Sequence, residues 1–553
     1  MDNVVKRPKR RKPNLAPLAI DDIPSGGELS GWLAKQTYPP AALRQAANDL
    51  AASDRTLDAL YLLDHLIGRE LTLPVDWKTT GQLLCRLGEF AQGIDALQKY
   101  ERFVPHDPEG NHDLGRAFYK LGRTSLAQHY LRNAIRLSSE LSPLLALATM
   151  IPGASDASQH EILFCRTEFA KQLGQSDPPL RLITENQESS PNRPTPIGFI
   201  SSWFDKENYM KPVWALINHL NRDRFIVHFF DDTDSDEQGR PPGYQEIATD
   251  VWHATSSRSN ADLAKLIADS DVQIAIDLNA YSTPHRLGLF NKRFSPVQAA
   301  WFNMYATSGL PELDYIIGDH VTVKPDEDQF YSESVARLNQ SYLTFSVTHQ
   351  APPLVEPPVT HSGHVTFGSL VTFYKITPAV IKAWSNILQR TANSRLLLGN
   401  AELKSKHNGR FLLDQFETNG ISPDRIQLLG PAPHDQFLRY YDQIDIALDA
   451  FPYNGGTTTM EAIWQGVPVI TFDGDRWASR TSASLLAETP FAEFIAEDIE
   501  GYVETAVQLA TAEDRDSKLT ELRRSCRTQL ESSTVCDAQA FARDMESLFV
   551  SWL

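Results

Sequence analysis

The apolar positions of the front third of the chain fall into a long helical period, whereas those behind it come as short blocks. Leu87-Gly88 and Leu121-Gly122 lie 34 residues apart, and each is followed at matched offsets by an apolar residue three positions before a tyrosine or alanine, Leu97/Tyr100 and Leu131/Ala134. A 34-residue period, with Leu-Gly closing one helix and small or apolar residues along the next, is the pattern of tetratricopeptide hairpins. A poorer copy is read over residues 41–68, and residues 126–150 continue helical. Each hairpin buries its face only against its neighbours, so at least about three are expected, and they present a surface suited to a protein partner.

The pattern then changes. Residues 184–196, TENQESSPNRPTP, are polar with three prolines and read as a linker. Beyond them, short buried-type runs at 197–200, 225–230, 273–278 and 299–302 alternate with helical stretches at 212–220 and 262–268. That alternation predicts a doubly wound parallel sheet. The stretch 351–358, APPLVEPP, separates it from a second series with strands at 365–367, 394–398, 426–429, 444–448 and 467–472. The expected organisation is therefore a disordered basic tail (1–30), a tetratricopeptide-like helical domain (31–183), a linker (184–196), a Rossmann-like domain (197–350), a second linker (351–364) and a second Rossmann-like domain (365–553). In such sheets ligands bind beyond the carboxyl ends of the strands, which directs the search for chemistry to the loops there.

Composition narrows the function. With 553 residues and 42% hydrophobic composition each domain has material for a core. A net charge of −18 argues against nucleic acid or an anionic membrane as partner of the whole chain. The basic run at 6–12, KRPKRRK, lacks the apolar core of a signal peptide, and no apolar run is long enough to span a membrane. The four cysteines form no Cys-x-x-Cys pair, so neither a zinc ribbon nor a disulfide framework is suggested, and a reducing cytoplasm is the expected compartment.

One turn has the residue types of a phosphate site, although a Gly-Gly-Thr run taken alone is a weak signal. After the strand ending near Asp449 comes Asn454-Gly455-Gly456-Thr457-Thr458-Thr459, and then a helix containing Glu461. Paired glycines let backbone approach a diphosphate, the helix start offers unpaired N–H groups, and threonine hydroxyls add donors. An ordinary turn and helix cap has the same composition.

The surrounding blocks decide between these. The segment 448–486, LDAFPYNGGTTTMEAIWQGVPVITFDGDRWASRTSASLL, resembles the catalytic region of the O-linked N-acetylglucosamine transferase and SPINDLY family. In the same order, FGSLVTFYKITPAVIKAWSNIL (367–388), RIQLLGPAPHDQF (425–437) and SPVQAAW (295–301) look like that family's segments. The resemblance runs from about residue 197 to the end, and the helical front fits it.

It implies a GT-B fold, a UDP-sugar donor, inversion at the anomeric carbon, protein serine or threonine hydroxyls as acceptors, and no metal or other cofactor. It also implies that Lys375 contacts the diphosphate, with Thr457 and Thr458 beside it at the Gly455-Gly456 turn. Glu461 stands where the family has a ribose-binding aspartate, and Ala432 where a backbone group reads the uracil. Thr372, with Tyr374 next to the lysine, matches a donor-contacting position. In a site without metal, a lysine and backbone N–H groups must neutralise the leaving diphosphate.

Departures cluster on the sugar and acceptor side. The histidine-bearing stretch expected after Ser201-Ser202 is replaced by Trp203-Phe204-Asp205-Lys206-Glu207-Asn208-Tyr209-Met210-Lys211. Glu207 and Lys211 are candidates there for a base or a charge partner, or are simply loop residues. Phe437 replaces another histidine, with His434 three residues earlier, and Asn303-Met304-Tyr305 stands where a Gly-aromatic-Pro turn shapes the sugar pocket. Asp277, at a strand end, is either a general base with a raised pKa or a hydrogen-bonded structural aspartate. Three functions are therefore expected to compete. The first is transfer of N-acetylglucosamine to protein; the second is transfer of another sugar, such as a nonulosonic acid to flagellin; the third is a catalytically silent scaffold.

Overall fold

The computed structural model describes residues 18–35, 38–177, 180–183, 193–233, 241–347 and 350–553. Its front end is helical: α1 (Glu28–Lys35), α2 (Pro40–Ala52), α3 (Thr56–Gly68), α4 (Pro74–Arg86), α5 (Phe90–Glu101), α6 (Pro108–Lys120), α7 (Thr124–Leu137), α8 (Leu141–Met150) and α9 (Gln159–Ser176). The helices pack as hairpins α2/α3, α4/α5, α6/α7 and α8/α9. Small residues let the helices of each pair approach. A Cβ on Gly81 would sit 2.6 Å from Leu97 Cγ, and one on Gly115, 34 residues later, 2.6 Å from Leu131 Cγ.

The turns repeat too. Gly88 and Gly122 take positive φ (81° and 68°), and the amide just after each glycine returns to a carbonyl in the last turn of the helix, Glu89 N to Leu84 O and Arg123 N to Phe118 O, both 2.9 Å. This left-handed cap is why the Leu-Gly pair marks the period.

Of the stretch 1–30 expected to be disordered, the described part, from residue 18 on, is folded. Ile23, Leu29 and Leu33 are buried against α2 and α3, and Arg55 donates to the carbonyls of Ile20, Ile23 and Pro24. These residues cover the outer face of the first hairpin, which a terminal repeat otherwise exposes. The basic run at 6–12 and most of the linker 184–196 lie outside the described residues.

Two parallel sheets follow. The first is seven-stranded, in the order β3-β2-β1-β4-β5-β6-β7. Its strands are β1 (Thr195–Ser201), β2 (Phe225–Asp231), β3 (Val251–Ala254), β4 (Ile274–Asp277), β5 (Val297–Ala300), β6 (Tyr315–Asp319) and β7 (Ser334–Leu338). The second, six-stranded in the order β10-β9-β8-β11-β12-β13, holds β8 (Thr366–Ser369), β9 (Arg395–Gly399), β10 (Ile426–Leu429), β11 (Ile446–Leu448), β12 (Val469–Phe472) and β13 (Ile495–Ala496). In both, strand order reverses beside the first strand, so each has one switch-point crevice, between β1 and β4 and between β8 and β11. Fold class is as expected: helical repeats followed by two Rossmann-like domains in a GT-B arrangement.

The last helix, Ala538–Ser551, does not belong to the second sheet as the 365–553 boundary implies. Phe541 packs on Trp301, Phe549 on Phe225 and Trp552 stacks on Tyr315, with ring centroids 5.9, 6.1 and 4.5 Å apart. The Asn221 amide donates to Glu546 Oε1 at 2.7 Å. The chain crosses back because the first sheet leaves an apolar flank there that this helix covers.

Candidate active site

The loops at the second switch point build the centre of the site. After β8 the chain forms a single tight turn, Phe373–Lys375, and Thr377 then caps helix Pro378–Arg390 by accepting from the Val380 amide. After β11, the buried Asp449 carboxylate organises the loop, with Oδ1 accepting from the amides of Ala450 (2.9 Å) and Gly455 (2.8 Å) and Oδ2 from the Thr471 hydroxyl (2.9 Å). Asn454 is strapped down as well, its amide donating to Ala478 O and its side chain to Ala450 O, both at 2.8 Å. Lys375 joins the loops: its Nζ donates to Asn454 O at 2.6 Å and lies 4.0 Å from the centroid of the Tyr453 ring.

Burial pushes the Lys375 ammonium down to about 8, partly countered by attraction to Asp449. A cation held against a carbonyl and a ring face, with its nearest carboxylate already committed to backbone amides, is poised for an anion that enters the cleft. Beside it starts helix Thr457–Trp464, capped by Gly456. The amides of Gly456, Thr457 and Thr458 have no acceptor among the described residues, as first-turn amides of a helix do not. A Cβ on Gly455 would lie 2.6 and 2.7 Å from the Thr459 and Thr458 hydroxyls, whereas one on Gly456 would meet nothing nearer than 3.7 Å. Gly455 is thus required by its own loop. Gly456 leaves space above the helix start.

Lys375, Asn454, Gly455, Gly456 and Thr457 line one cleft together with residues of the first domain, among them Tyr209, Lys211, Phe302 and Tyr305. Tyr453 faces Tyr305 at 5.1 Å between centroids, and Tyr209 faces Phe302 at 5.1 Å, so aromatic rings line the cleft from the lysine across to the first domain. The backbones of Phe302 and Tyr305 are both left-handed (φ 74° and 54°), and the Tyr305 hydroxyl donates to Asn303 Oδ1 at 2.9 Å. This is the form the altered Asn303-Met304-Tyr305 turn takes.

Other expected residues are placed differently. Glu461 is buried behind the cleft and shared: Lys211 Nζ lies 3.2 Å and His434 Nε2 2.9 Å from its Oε1. Lys211 is therefore the charge partner, reaching across from the first domain, and it is almost wholly buried. Tyr374 does not face the cleft; its ring packs between Tyr119 and Tyr453. Thr372 caps the turn from an exposed position, and Ala432 sits half-buried on the loop after β10, next to His434. Thr458 stands behind Thr457, its carbonyl accepting from the Tyr441 hydroxyl.

The two carboxylates expected near the reaction do not line the cleft. Burial pushes Asp277 up to about 6, but both its oxygens accept backbone amides, from Asn279 at 2.9 Å and Ala280 at 3.1 Å. Asn279 Oδ1 in turn accepts from the Ser202 amide at 2.8 Å, so this aspartate ties together the loops of the first switch point. Glu207 lies half-exposed on the loop after β1. The altered Asn303-Met304-Tyr305 turn expected at the sugar pocket does bring Tyr305 to the cleft, whereas Tyr453 is a wall residue that sequence reasoning missed; the signal available was an aromatic directly before Asn454-Gly455.

The family model for glycosyl transferase family 41 matches residues 178–357 and 358–545, which hold every described strand of both sheets. The chain belongs to glycosyl transferase family 41. It is 33% identical over 303 residues to the probable UDP-N-acetylglucosamine–peptide N-acetylglucosaminyltransferase SPINDLY of Solanum lycopersicum, covering 54% of this chain and 32% of that protein. With the Arabidopsis thaliana SPINDLY it shares 30% over 363 residues, 65% of this chain and 39% of that protein. The match thus spans roughly a third of the length of these relatives. A mutant of the Thermobaculum terrenum O-GlcNAc transferase superposes with a TM-score of 0.76 at 24% identity, over 94% of this chain and 98% of that one, so this family 41 chain shares its fold from the helical repeats to the last helix. No described helix is long and apolar enough to cross a membrane.

Proposed function

We propose that this family 41 chain transfers a neutral sugar from a nucleoside diphosphate donor, UDP-N-acetylglucosamine in the first instance, to serine or threonine hydroxyls of proteins. The observation that carries the reading is Lys375, whose Nζ bridges the two switch-point loops beside three uncommitted helix-start amides. As the bond from the anomeric carbon to the diphosphate breaks, negative charge grows on the departing oxygen, and these groups already face it. Neither Asp277 nor Glu207 is on the cleft wall, so the rate enhancement rests on leaving-group stabilisation and on holding the acceptor in line: its oxygen displaces the diphosphate with inversion of the centre, and its proton passes to the departing diphosphate oxygen or to water. No metal is needed in this scheme, because Lys375 and the amides supply the positive charge.

The cleft also bears on the sugar. Its charged lining side chains are Lys211 and Lys375, and Lys211 is paired with Glu461. With Lys375 committed to the diphosphate, no cation remains on that lining for a sugar carboxylate. This favours a neutral sugar, whose apolar face stacks on Tyr305 and Tyr453, over a nonulosonic acid. The helical repeats are the acceptor dock in this proposal, and the cytoplasm is its setting.

Calorimetric titration with UDP, followed by a donor screen read by intact mass of acceptor proteins, tests the proposal. UDP binding that is lost in Lys375→Ala, with mass gain from a neutral-sugar donor, is expected. Absence of heat at millimolar UDP would return the chain to the scaffold reading.

A further inference from the structure

The two repeat turns that mark the 34-residue period both dock on the second Rossmann-like domain, but at different places. Gly88 O accepts from Asn408 Nδ2 at 2.8 Å, well away from the cleft. Gly122 meets the lysine loop. A Cβ there would lie 2.3 Å from Ile376 O and 3.4 Å from Phe373 O, the carbonyls on either side of Lys375 in the chain. In the same helix end, the Tyr119 ring packs on Tyr374 with centroids 5.0 Å apart. The backbone on both sides of the lysine and the ring just before it therefore rest on one turn of the helical domain.

Other walls of the cleft rest on the same domain. Gly153, just past α8, lies against Tyr453, where a Cβ would come within 3.3 Å of the ring. Arg166 of α9 is buried and donates to the carbonyls of Met304 (3.3 Å), Ala306 (3.3 Å) and Thr307 (2.7 Å), holding the turn that presents Tyr305. A guanidinium spanning several carbonyls of one turn fixes that turn's path.

We infer that the helical domain is part of the donor site, and that Tyr119 and Gly122 are positioning residues for Lys375. The inference rests on the donor reading above. Its physical content is that the ammonium's placement is set from outside its own domain. A small displacement of the Phe373–Lys375 turn moves a charge whose value depends on distance to the diphosphate.

The matched glycines supply the test. Gly88→Ala and Gly122→Ala place a side chain on the same left-handed backbone at equivalent repeat positions, so both carry similar conformational strain. Only Gly122→Ala collides with the lysine loop, since a Cβ on Gly88 meets nothing within 4 Å. In the full chain, with thermal unfolding measured alongside, UDP affinity is expected to fall about tenfold or more in Gly122→Ala and to stay within about twofold in Gly88→Ala. Tyr119→Phe, which keeps the ring, should bind UDP as wild type does, and Tyr119→Ala should bind it more weakly. These tyrosine variants decide the matter if Gly122→Ala does not fold. Equal UDP affinity in the two glycine variants, or in the two tyrosine variants, overturns the inference. If the wild-type chain binds no UDP, the donor reading falls and takes this inference with it.

Discussion

Lys375, half-buried on the cleft, and Glu461, buried behind it, are two charges with opposite fates, and both make predictions at the scale of single groups. Lys375 is brought down to about 8 by burial, and a bound diphosphate favours its charged form. Below that pH the free lysine is already protonated and UDP affinity should be flat. Above it each binding event must also take up a proton, so affinity should fall by up to about tenfold per pH unit until the bound-state value is passed. Titrations between about pH 7 and 10, above the last ionisation of the phosphate near 6, read this directly. A profile flat through pH 9, or one that survives in Lys375→Met, removes the lysine from the diphosphate.

Glu461 was expected to hold a ribose from the carboxylate it shares with its family, and its partner was not apparent. Lys211 and His434 both address Oε1, and on the proposed donor reading a ribose hydroxyl would fall to the other oxygen. Removing Lys211 leaves the buried carboxylate with His434 as its one remaining partner among the described residues, a loss of up to about 3–5 kcal/mol where the pair is dry. Lys211→Met and Glu461→Gln should therefore each weaken UDP binding and lower the unfolding temperature, while the double variant should be no worse than either alone. Additive losses would mean that the two side chains act separately.

At the scale of elements, the glycine turn shows what was legible and what was not. Composition marked the Gly455-Gly456 pair as a phosphate cradle but could not separate the two. Gly455→Ala should disturb the loop itself, because its Cβ collides with two threonine hydroxyls of the same turn. Gly456→Ala should fold normally and instead weaken UDP binding by occupying the space over the helix start. Unfolding temperatures and UDP titrations of the two variants separate these outcomes, and equal behaviour would contradict them. The repeats were legible because left-handed caps demand glycine at a fixed offset. Strands β1, β2, β4, β5 and β8 to β12 announced themselves as short buried runs, whereas β3, exposed along much of its length at the sheet edge, carries no such signal. Asp277 was read with two open roles, since a raised pKa and a structural cap share one sequence; only its two backbone partners distinguish them.

At the scale of the molecule, sequence order is a poor guide to which body a helix completes. The last helix is amphipathic and follows the second sheet, so it reads as part of that domain, yet its apolar face lies on the first. Phe541, Met545 and Phe549 are fully buried there. Three such side chains represent roughly 5–9 kcal/mol of transfer free energy, on the order of the net stability of a whole domain. A chain ending at Asp537 should therefore lose the first domain even though that domain's own segment is intact. Since the cleft needs Tyr209 and Tyr305 from that domain, UDP binding should go with it. Trp552→Ala, which removes the stack on Tyr315 and the contact with Phe549 but leaves the buried face of the helix in place, should lower the unfolding temperature by a few degrees and leave UDP affinity unchanged. If the shortened chain unfolds at the wild-type temperature, the helix is an accessory and the cleft is held together by the helical repeats and the two sheets alone.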